Sequence, residues 1–371
     1  MTTQETFDEP LNLMDFERLA PEKLTQMAWD YYAGAADDLV TLRDNRLAFN
    51  KIRLRPRMMV DVSQRDLSTS VLGQSMPMPL LFAPTAFHRM AHPDGEIATV
   101  RAAGSRGLTM ILSSLSTTPL EDVAQAAAQA ATAPLWFQLY VYKDRGLTES
   151  VVRRAEAAGY KALVLTVDAP YFGRREADIR NRFFLPDGLE VANLRGTGKE
   201  DIDRPKGGSG LNAYVASLLD ASLTWKDVNW LCTLTDMPVI VKGILRGDDA
   251  VRALEHGAKG VIVSNHGGRQ LDTSPATIDV LPEITEAVGG KLDVVLDGGV
   301  RRGTDILKAV ALGAKAVAIG RPILWGLAYN GEAGVQRVVD LLREEFSLGM
   351  ALAGCASVRD ITPDLIFQPR L

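Results

Sequence analysis

VIVSNHGGRQLD, Val261 to Asp272, begins as an apolar, β-branched run and breaks at Ser264-Asn265. That is the pattern of a buried parallel strand running out into a loop. The loop places His266 and Arg269 three residues apart around two glycines. A histidine exchanges a proton near neutral pH. An arginine holds a carboxylate through two parallel hydrogen bonds. Glycines let a backbone approach a ligand closely. The stretch therefore reads as a strand end that carries a base and an anion clamp.

Similar runs recur on both sides of it. They are Leu80–Ala83, Thr109–Leu112, Leu135–Leu139, Ala162–Val167, Pro238–Val241, Gly260–Val263, Asp293–Leu296 and Ala316–Ile319. Helical patterns separate them, among them GEIATVRAAGSRG, LTESVVRRAEAAGY and GDDAVRALEHGAKG. Eight buried strands alternating with helices predict an α/β fold, a (β/α)8 TIM barrel. A doubly wound sheet is the alternative, and the regularity of eight units favours closure. The whole chain, residues 1–371, reads as one domain, with the barrel over about 78 to 354. Before it, helical patterns run from Phe16 to a stop at Gly34 and from Leu39 to Asn50, and Asp66–Gln74 reads as a hairpin turning at Gly73. Residues 1–12 read as frayed. After it, GEAGVQRVVDLLREEFSLGMALAG (residues 331–354) is amphipathic and reads as the last helix, there for packing. The interval from Val167 to Val239 is too long for one βα unit. It contains a polar, glycine-rich segment, Leu194 to Gly210, which with its flanks (about 188–211) reads as a lid or as a plain insertion.

The composition narrows the function. Hydrophobic residues make up 46% of the chain and charged residues 23%, an ordinary globular profile. The net charge of −5 without a basic block argues against nucleic acid as a partner. No run of 18 apolar residues occurs, so no membrane span is expected. Two cysteines, Cys232 and Cys355, cannot build a disulfide framework, which points to the cytoplasm. The acidic N-terminus has neither signal nor transit character. Pro369-Arg370-Leu371 only loosely resembles a peroxisomal address, relevant if the source is eukaryotic, and an ordinary terminus is the simpler reading. CxxC and HExxH are absent, so no metal site is expected.

Chemistry in a barrel collects at the carboxyl ends of the strands. There the chain places Pro84-Thr85-Ala86, Ser113, Gln138 and Tyr140, Thr166 and Asp168, Lys242, Ser264, Asp297-Gly298-Gly299-Val300-Arg301 and Gly320-Arg321. Loops after the seventh and eighth strands often bind phosphate. Glycines that expose N–H groups beside arginines fit that use. Lys242 has three readings: a Schiff base, a cation against a delocalised anion, or a structural salt bridge.

Six motifs in register carry a resemblance: SNHGGRQLD, LDGGVRRGTD, IGRPILWGLA, FQLYVYKDR, LTVDAPYFGRREADIRNRF and DYYAGAADDLVTLRDNR. From about Leu13 to Ile361 the chain resembles the FMN-dependent L-2-hydroxy acid oxidases, the glycolate and lactate oxidase type. The resemblance implies FMN as cofactor and oxidation of an (S)-2-hydroxy acid to a 2-oxo acid, with O2 reduced to H2O2. It makes His266 the base, Asp168 its partner carboxylate and Tyr140 the tyrosine facing the substrate hydroxyl. Arg175, Arg269 and Tyr31 become the grip on the substrate carboxylate. Lys242 becomes the cation beside the flavin. Pro84, Thr85, Ala86, Ser113, Gln138, Thr166 and Ser264 become ring and ribityl contacts, and Asp297, Gly298, Gly299, Arg301, Gly320 and Arg321 the ribityl-phosphate cradle. A carboxylate beside His266 is expected to raise its pKa. The resemblance also implies a homotetramer or homo-octamer.

Departures bear on specificity. Plant-type glycolate oxidases carry a tryptophan where this chain has Leu115, which widens the pocket and favours lactate. Phe87 stands where many relatives have methionine. Thr85 and Val215 resemble the glycolate type, and Ala86 favours ordinary release of the 2-oxo acid. One methyl group is worth only ~1–3 kcal/mol of discrimination, so both acids are expected to react. The alternatives are a dehydrogenase of the same family that passes electrons to a quinone or cytochrome, and a non-catalytic FMN-binding barrel. The polar insertion disfavours the membrane-bound dehydrogenase form.

Overall fold

A computed structural model describes residues 9–130 and 134–367. A two-stranded hairpin comes first, β1 (Thr69–Val71) and β2 (Gln74–Met76). Eight parallel strands follow: β3 (Leu80–Phe82), β4 (Met110–Leu112), β5 (Leu135–Leu139), β6 (Leu163–Thr166), β7 (Val239–Ile244), β8 (Gly260–Val263), β9 (Asp293–Asp297) and β10 (Ala316–Ile319). They close into a barrel, β10 pairing with β3 through Val317 opposite Leu80 and Ile319 opposite Phe82. Helices cover the outside, so both faces of each strand are buried. This is why the sequence shows continuous apolar runs and no alternation.

The barrel interior is packed by Leu81, Ile111, Trp136, Val164, Ile240, Ile262, Val295 and Ala318. Val71 and Met76 of the hairpin join the same cluster. Trp136 Nε1 donates to Gln74 Oε1 at 2.9 Å, and Leu72 N donates to Asp293 Oδ2 at 2.6 Å. Asp293 starts its strand, so the hairpin closes the amino end of the barrel and leaves the carboxyl end open. Leu72 and Gly73 both turn at positive φ, 51° and 72°, as a two-residue hairpin requires.

The N-terminal helical pattern is broken in two. Asn12 caps Leu13–Leu19 by accepting from Met14 N and Asp15 N, and a turn of 3-10 helix containing Pro21 ends that helix. Thr25 then caps Gln26–Ala33. This second helix stops at Gly34, as expected, yet Gly34 has extended backbone (φ −63°) and is no left-handed cap. A helix over Val40–Lys51 follows, and Asp272 caps its start from across the molecule by accepting from Val40 N and Thr41 N. Residues 1–8 and the C-terminal Pro369-Arg370-Leu371 lie outside the described residues.

The long interval between β6 and β7 holds helices Glu176–Arg180, Gly210–Leu218 and Trp225–Leu234. Its polar segment is better anchored than its composition suggests. Ile202 is buried, Leu185 N donates to Ile202 O at 3.1 Å, and Tyr214 Oη donates to Lys199 O at 2.6 Å. One apolar side chain and backbone pairing suffice to fasten it. The last helix starts earlier than its amphipathic pattern. It spans Arg321–Ala353 directly after β10, with a break at Asn330–Gly331.

Candidate active site

A cavity of about 970 Å³, mouth included, opens at the carboxyl end of the barrel. Its wall contains Tyr31, Pro84, Thr85, Ala86, Ser113, Gln138, Tyr140, Thr166, Arg175, Lys242, His266, Arg269, Asp297, Gly298, Gly299, Arg301, Gly320 and Arg321. Every site residue named from the sequence therefore lies on the wall except Asp168 and Ser264, which stand directly behind it and hold its members. Ser264 Oγ accepts from Lys242 Nζ at 2.9 Å and from His266 N at 3.1 Å.

His266 follows β8 at positive φ (57°), a conformation that strains a non-glycine residue and is held by its surroundings. Asn265 supplies that hold. Its side chain accepts from Gly268 N and exchanges hydrogen bonds with Asn45 at 2.8 Å. His266 Nδ1 donates to Asp168 Oδ1 at 2.8 Å. This fixes the tautomer and leaves Nε2 as an acceptor. Burial lowers the pKa of His266 below the ordinary histidine value. Asp168 pulls it up, but Lys242 and Arg175 push it down. The expected rise is thus reversed in sum, because desolvation of the cation outweighs the carboxylate. Burial pushes the Asp168 carboxyl up, and the nearby His266 and Lys242 more than offset this, so it sits below its usual range. The resting pair is neutral histidine and carboxylate.

Sequence patterning gives no signal for the residues that bring this pair together. Lys242 does not end its strand. β7 continues to Ile244 over an irregularity at Gly243 (φ 109°). A Cβ at Gly243 would lie 2.7–2.8 Å from Asp168 Cβ and Cγ, so only glycine leaves room for the carboxylate. Gln270, which has no role in the sequence reading, ties the loops after β6 and β8. Its Nε2 donates to Asp168 O and Tyr171 O, and its Oε1 accepts from Gly173 N and Arg175 Nη2.

Arg175 and Arg269 converge on the cavity. Arg175 stacks on Phe172 at 4.7 Å, and burial, then Arg269, lower its pKa to about 10. Arg269 lies over the Tyr31 ring at 4.8 Å. Tyr31 stacks on Phe183 with centroids 4.6 Å apart. Burial, then Asp168, raise the Tyr140 pKa far above the phenol range, so its hydroxyl stays a donor. Two cations in one pocket are costly unless an anion enters.

The opposite end suits a phosphate-bearing ring system. Gln138 Oε1 accepts from Ser113 Oγ and Ser114 N, and its Nε2 donates to Thr166 Oγ1. Lys242 Nζ lies 3.5 Å from Asp297 Oδ2, an ion pair at the cavity wall. Gly298 and Gly299 turn at φ 97° and 83° beside Arg301. Among the described residues Arg301 Nε is buried without a hydrogen-bond partner, and it lies 3.7 Å from Glu17 Oε2. A further polar cluster escaped the sequence reading. Buried His88 meets Thr85 Oγ1 through Nε2 at 2.6 Å, and Glu96 accepts from His88 N and from Thr117 and Thr118.

The family model for FMN-dependent dehydrogenases matches residues 20–368. The chain belongs to the FMN-dependent dehydrogenase family. It is 56% identical to an L-lactate oxidase from Nostoc sp. over 95% of this chain and 96% of the relative. It is 54% identical to 2-hydroxyacid oxidase 1 from Homo sapiens, over 95% of each. Among solved structures, a mandelate oxidase superposes with a TM-score of 0.90 at 41% identity, covering 95% of this chain and 97% of that one. The cofactor of this FMN-dependent dehydrogenase is FMN, and the cavity fits it. The Gln138, Ser113 and Thr166 group with Lys242 would face a polar ring, while Gly298, Gly299 and Arg301, with its unsatisfied buried Nε, would hold a phosphate.

Proposed function

We propose that this enzyme oxidises short (S)-2-hydroxy acids, L-lactate and glycolate, to their 2-oxo acids, with O2 reduced to H2O2. The observation that carries the reading is the His266–Asp168 pair, with Nε2 free beside two arginines in one cavity. Bound FMN would supply the acceptor for two electrons, returned to its oxidised form by O2. Arg175 and Arg269, with Tyr31, grip the substrate carboxylate. Tyr140, a permanent donor, orients the hydroxyl. His266 Nε2 takes the substrate proton, and Asp168 steadies the imidazolium so formed. Lys242 offers positive charge where the electrons arrive. Leu115 lines the cavity, and a leucine there takes up less space than the tryptophan of plant-type glycolate oxidases, which favours the methyl group of lactate. The names of the Nostoc and human relatives support the same acid class and the oxidase assignment.

Among the described residues no helix is long and apolar enough to cross a membrane. The reading places the enzyme in the cytoplasm as a homotetramer or homo-octamer, which light scattering of the purified protein checks. A substrate panel under air with peroxide readout, set against dye reduction without oxygen, tests the reaction. Peroxide formation from lactate and glycolate is expected. Dye reduction with negligible peroxide overturns the oxidase assignment.

A further inference from the structure

The last carbonyls of a helix have no N–H partner within it. At the end of helix Gln26–Ala33 they are taken by two arginines that serve different parts of the cavity. Arg269 Nη1 donates to Tyr31 O at 2.6 Å and to Gly34 O at 2.9 Å. Arg321 Nε donates to Tyr32 O at 2.8 Å, and its Nη2 donates to the same Gly34 O at 2.8 Å. Its third arm, Nη1, donates to Gly267 O at 3.0 Å, between His266 and Gly268. One carbonyl oxygen, with two lone pairs, thus joins a guanidinium assigned to the substrate carboxylate to one assigned to the cofactor phosphate.

The arrangement is close-fitting. A Cβ on Gly34 would meet Asp30 O at 2.4 Å, and Ala36 N donates to Gly268 O at 2.9 Å, so the segment is fastened on both sides. Both guanidinium groups are cations and repel one another. The partial negative charge of the helix end and the shared carbonyl offset that repulsion. Arg301, also at the phosphate end, takes no part. Among the described residues, the one backbone carbonyl its guanidinium reaches is that of Val300.

We infer that Arg321 is a positioning residue for the substrate grip as well as a cofactor contact. Its three-armed fork holds the backbone of residues 32–34 against the loop after β8. That backbone sets the Tyr31 ring and the Arg269 guanidinium. A lysine keeps the charge and loses the fork, so it cannot hold Tyr32 O, Gly34 O and Gly267 O together.

The inference rests on the 2-hydroxy acid reading above, and the experiment separates the two. Oxalate is a two-carbon diacid with no α-hydrogen, so it binds without turning over. Its dissociation constant is read from the visible flavin spectrum of holoenzyme held in excess FMN. Arg321→Lys is expected to weaken oxalate binding tenfold or more and to raise KM for L-lactate by a larger factor than it lowers kcat. Arg301→Lys is expected to weaken FMN retention and to leave oxalate affinity within twofold once FMN is saturating. Gly34→Ala, which displaces the shared carbonyl with all charges kept, is expected to weaken oxalate as well and serves if Arg321→Lys does not fold. Oxalate affinity within twofold of the parent in the folded Arg321 or Gly34 variant overturns the inference, as does an equal loss in Arg301→Lys. A parent enzyme that neither binds oxalate nor reacts with any 2-hydroxy acid overturns the functional reading instead.

Discussion

At the scale of single residues, His266 shows what sequence can and cannot convey. Its candidacy as a base was legible, because a histidine after an apolar strand and before Gly-Gly-Arg stands out. The direction of its pKa shift was not, because that depends on how completely the fold buries it and on Lys242 and Arg175 nearby. Burial leads the shift, and it points downward. A base works in its neutral form, which persists above its pKa. Activity therefore falls only as pH drops through a value below the unperturbed histidine pKa of about 6.5. A kcat/KM profile of the parent is expected to show its acid limb below that value. Asp168→Ala removes a group that raises the pKa, so the limb moves to still lower pH while the rate drops for want of a fixed tautomer. A parent limb well above pH 6.5, or a limb that moves upward in the variant, contradicts the charge balance described here.

At the scale of elements, the strands were legible and their fine geometry was not. Each βα unit announces itself by an apolar run, a polar break and a helix, so all eight strands lie where expected. Strand β7 is the instructive difference. Its apolar run stops at Val241, but the strand continues through Lys242 and Gly243 to Ile244. The reason is tertiary: Gly243 leaves space that Asp168 fills from the neighbouring strand's loop. Gly243→Ala would force a side chain into positive φ, at a cost of about 1–3 kcal/mol, and push Asp168 away from His266. The variant is expected to lose about tenfold or more in kcat while keeping its yellow colour, read by steady-state kinetics and the visible spectrum. An unchanged kcat removes Gly243 from the account. Gln270 was silent for the same reason. A glutamine has no periodic signature, and its role exists only once two loops meet.

At the scale of the whole molecule, the barrel is closed at one end and open at the other. The hairpin was visible as a turn at Gly73, but its place under the barrel was not, since nothing local says which end it covers. Trp136 is fully buried where the hairpin meets the interior. Trp136→Ala is expected to cost about 3–5 kcal/mol, seen as a lower urea midpoint. Because the residue sits at the amino end, the folded fraction keeps its substrate affinity. A shifted affinity with an unchanged midpoint contradicts the division of labour between the two ends.

The central claim is that His266 removes the substrate proton in a cavity built for FMN and a 2-hydroxy acid. Anaerobic mixing of the yellow protein with L-lactate, followed by visible absorbance, tests it most directly. The parent is expected to bleach rapidly, and His266→Gln, equally yellow, is expected to bleach about 10²–10⁴ times more slowly. A parent that stays yellow with every 2-hydroxy acid, or a variant that bleaches at the parent's rate, contradicts the account.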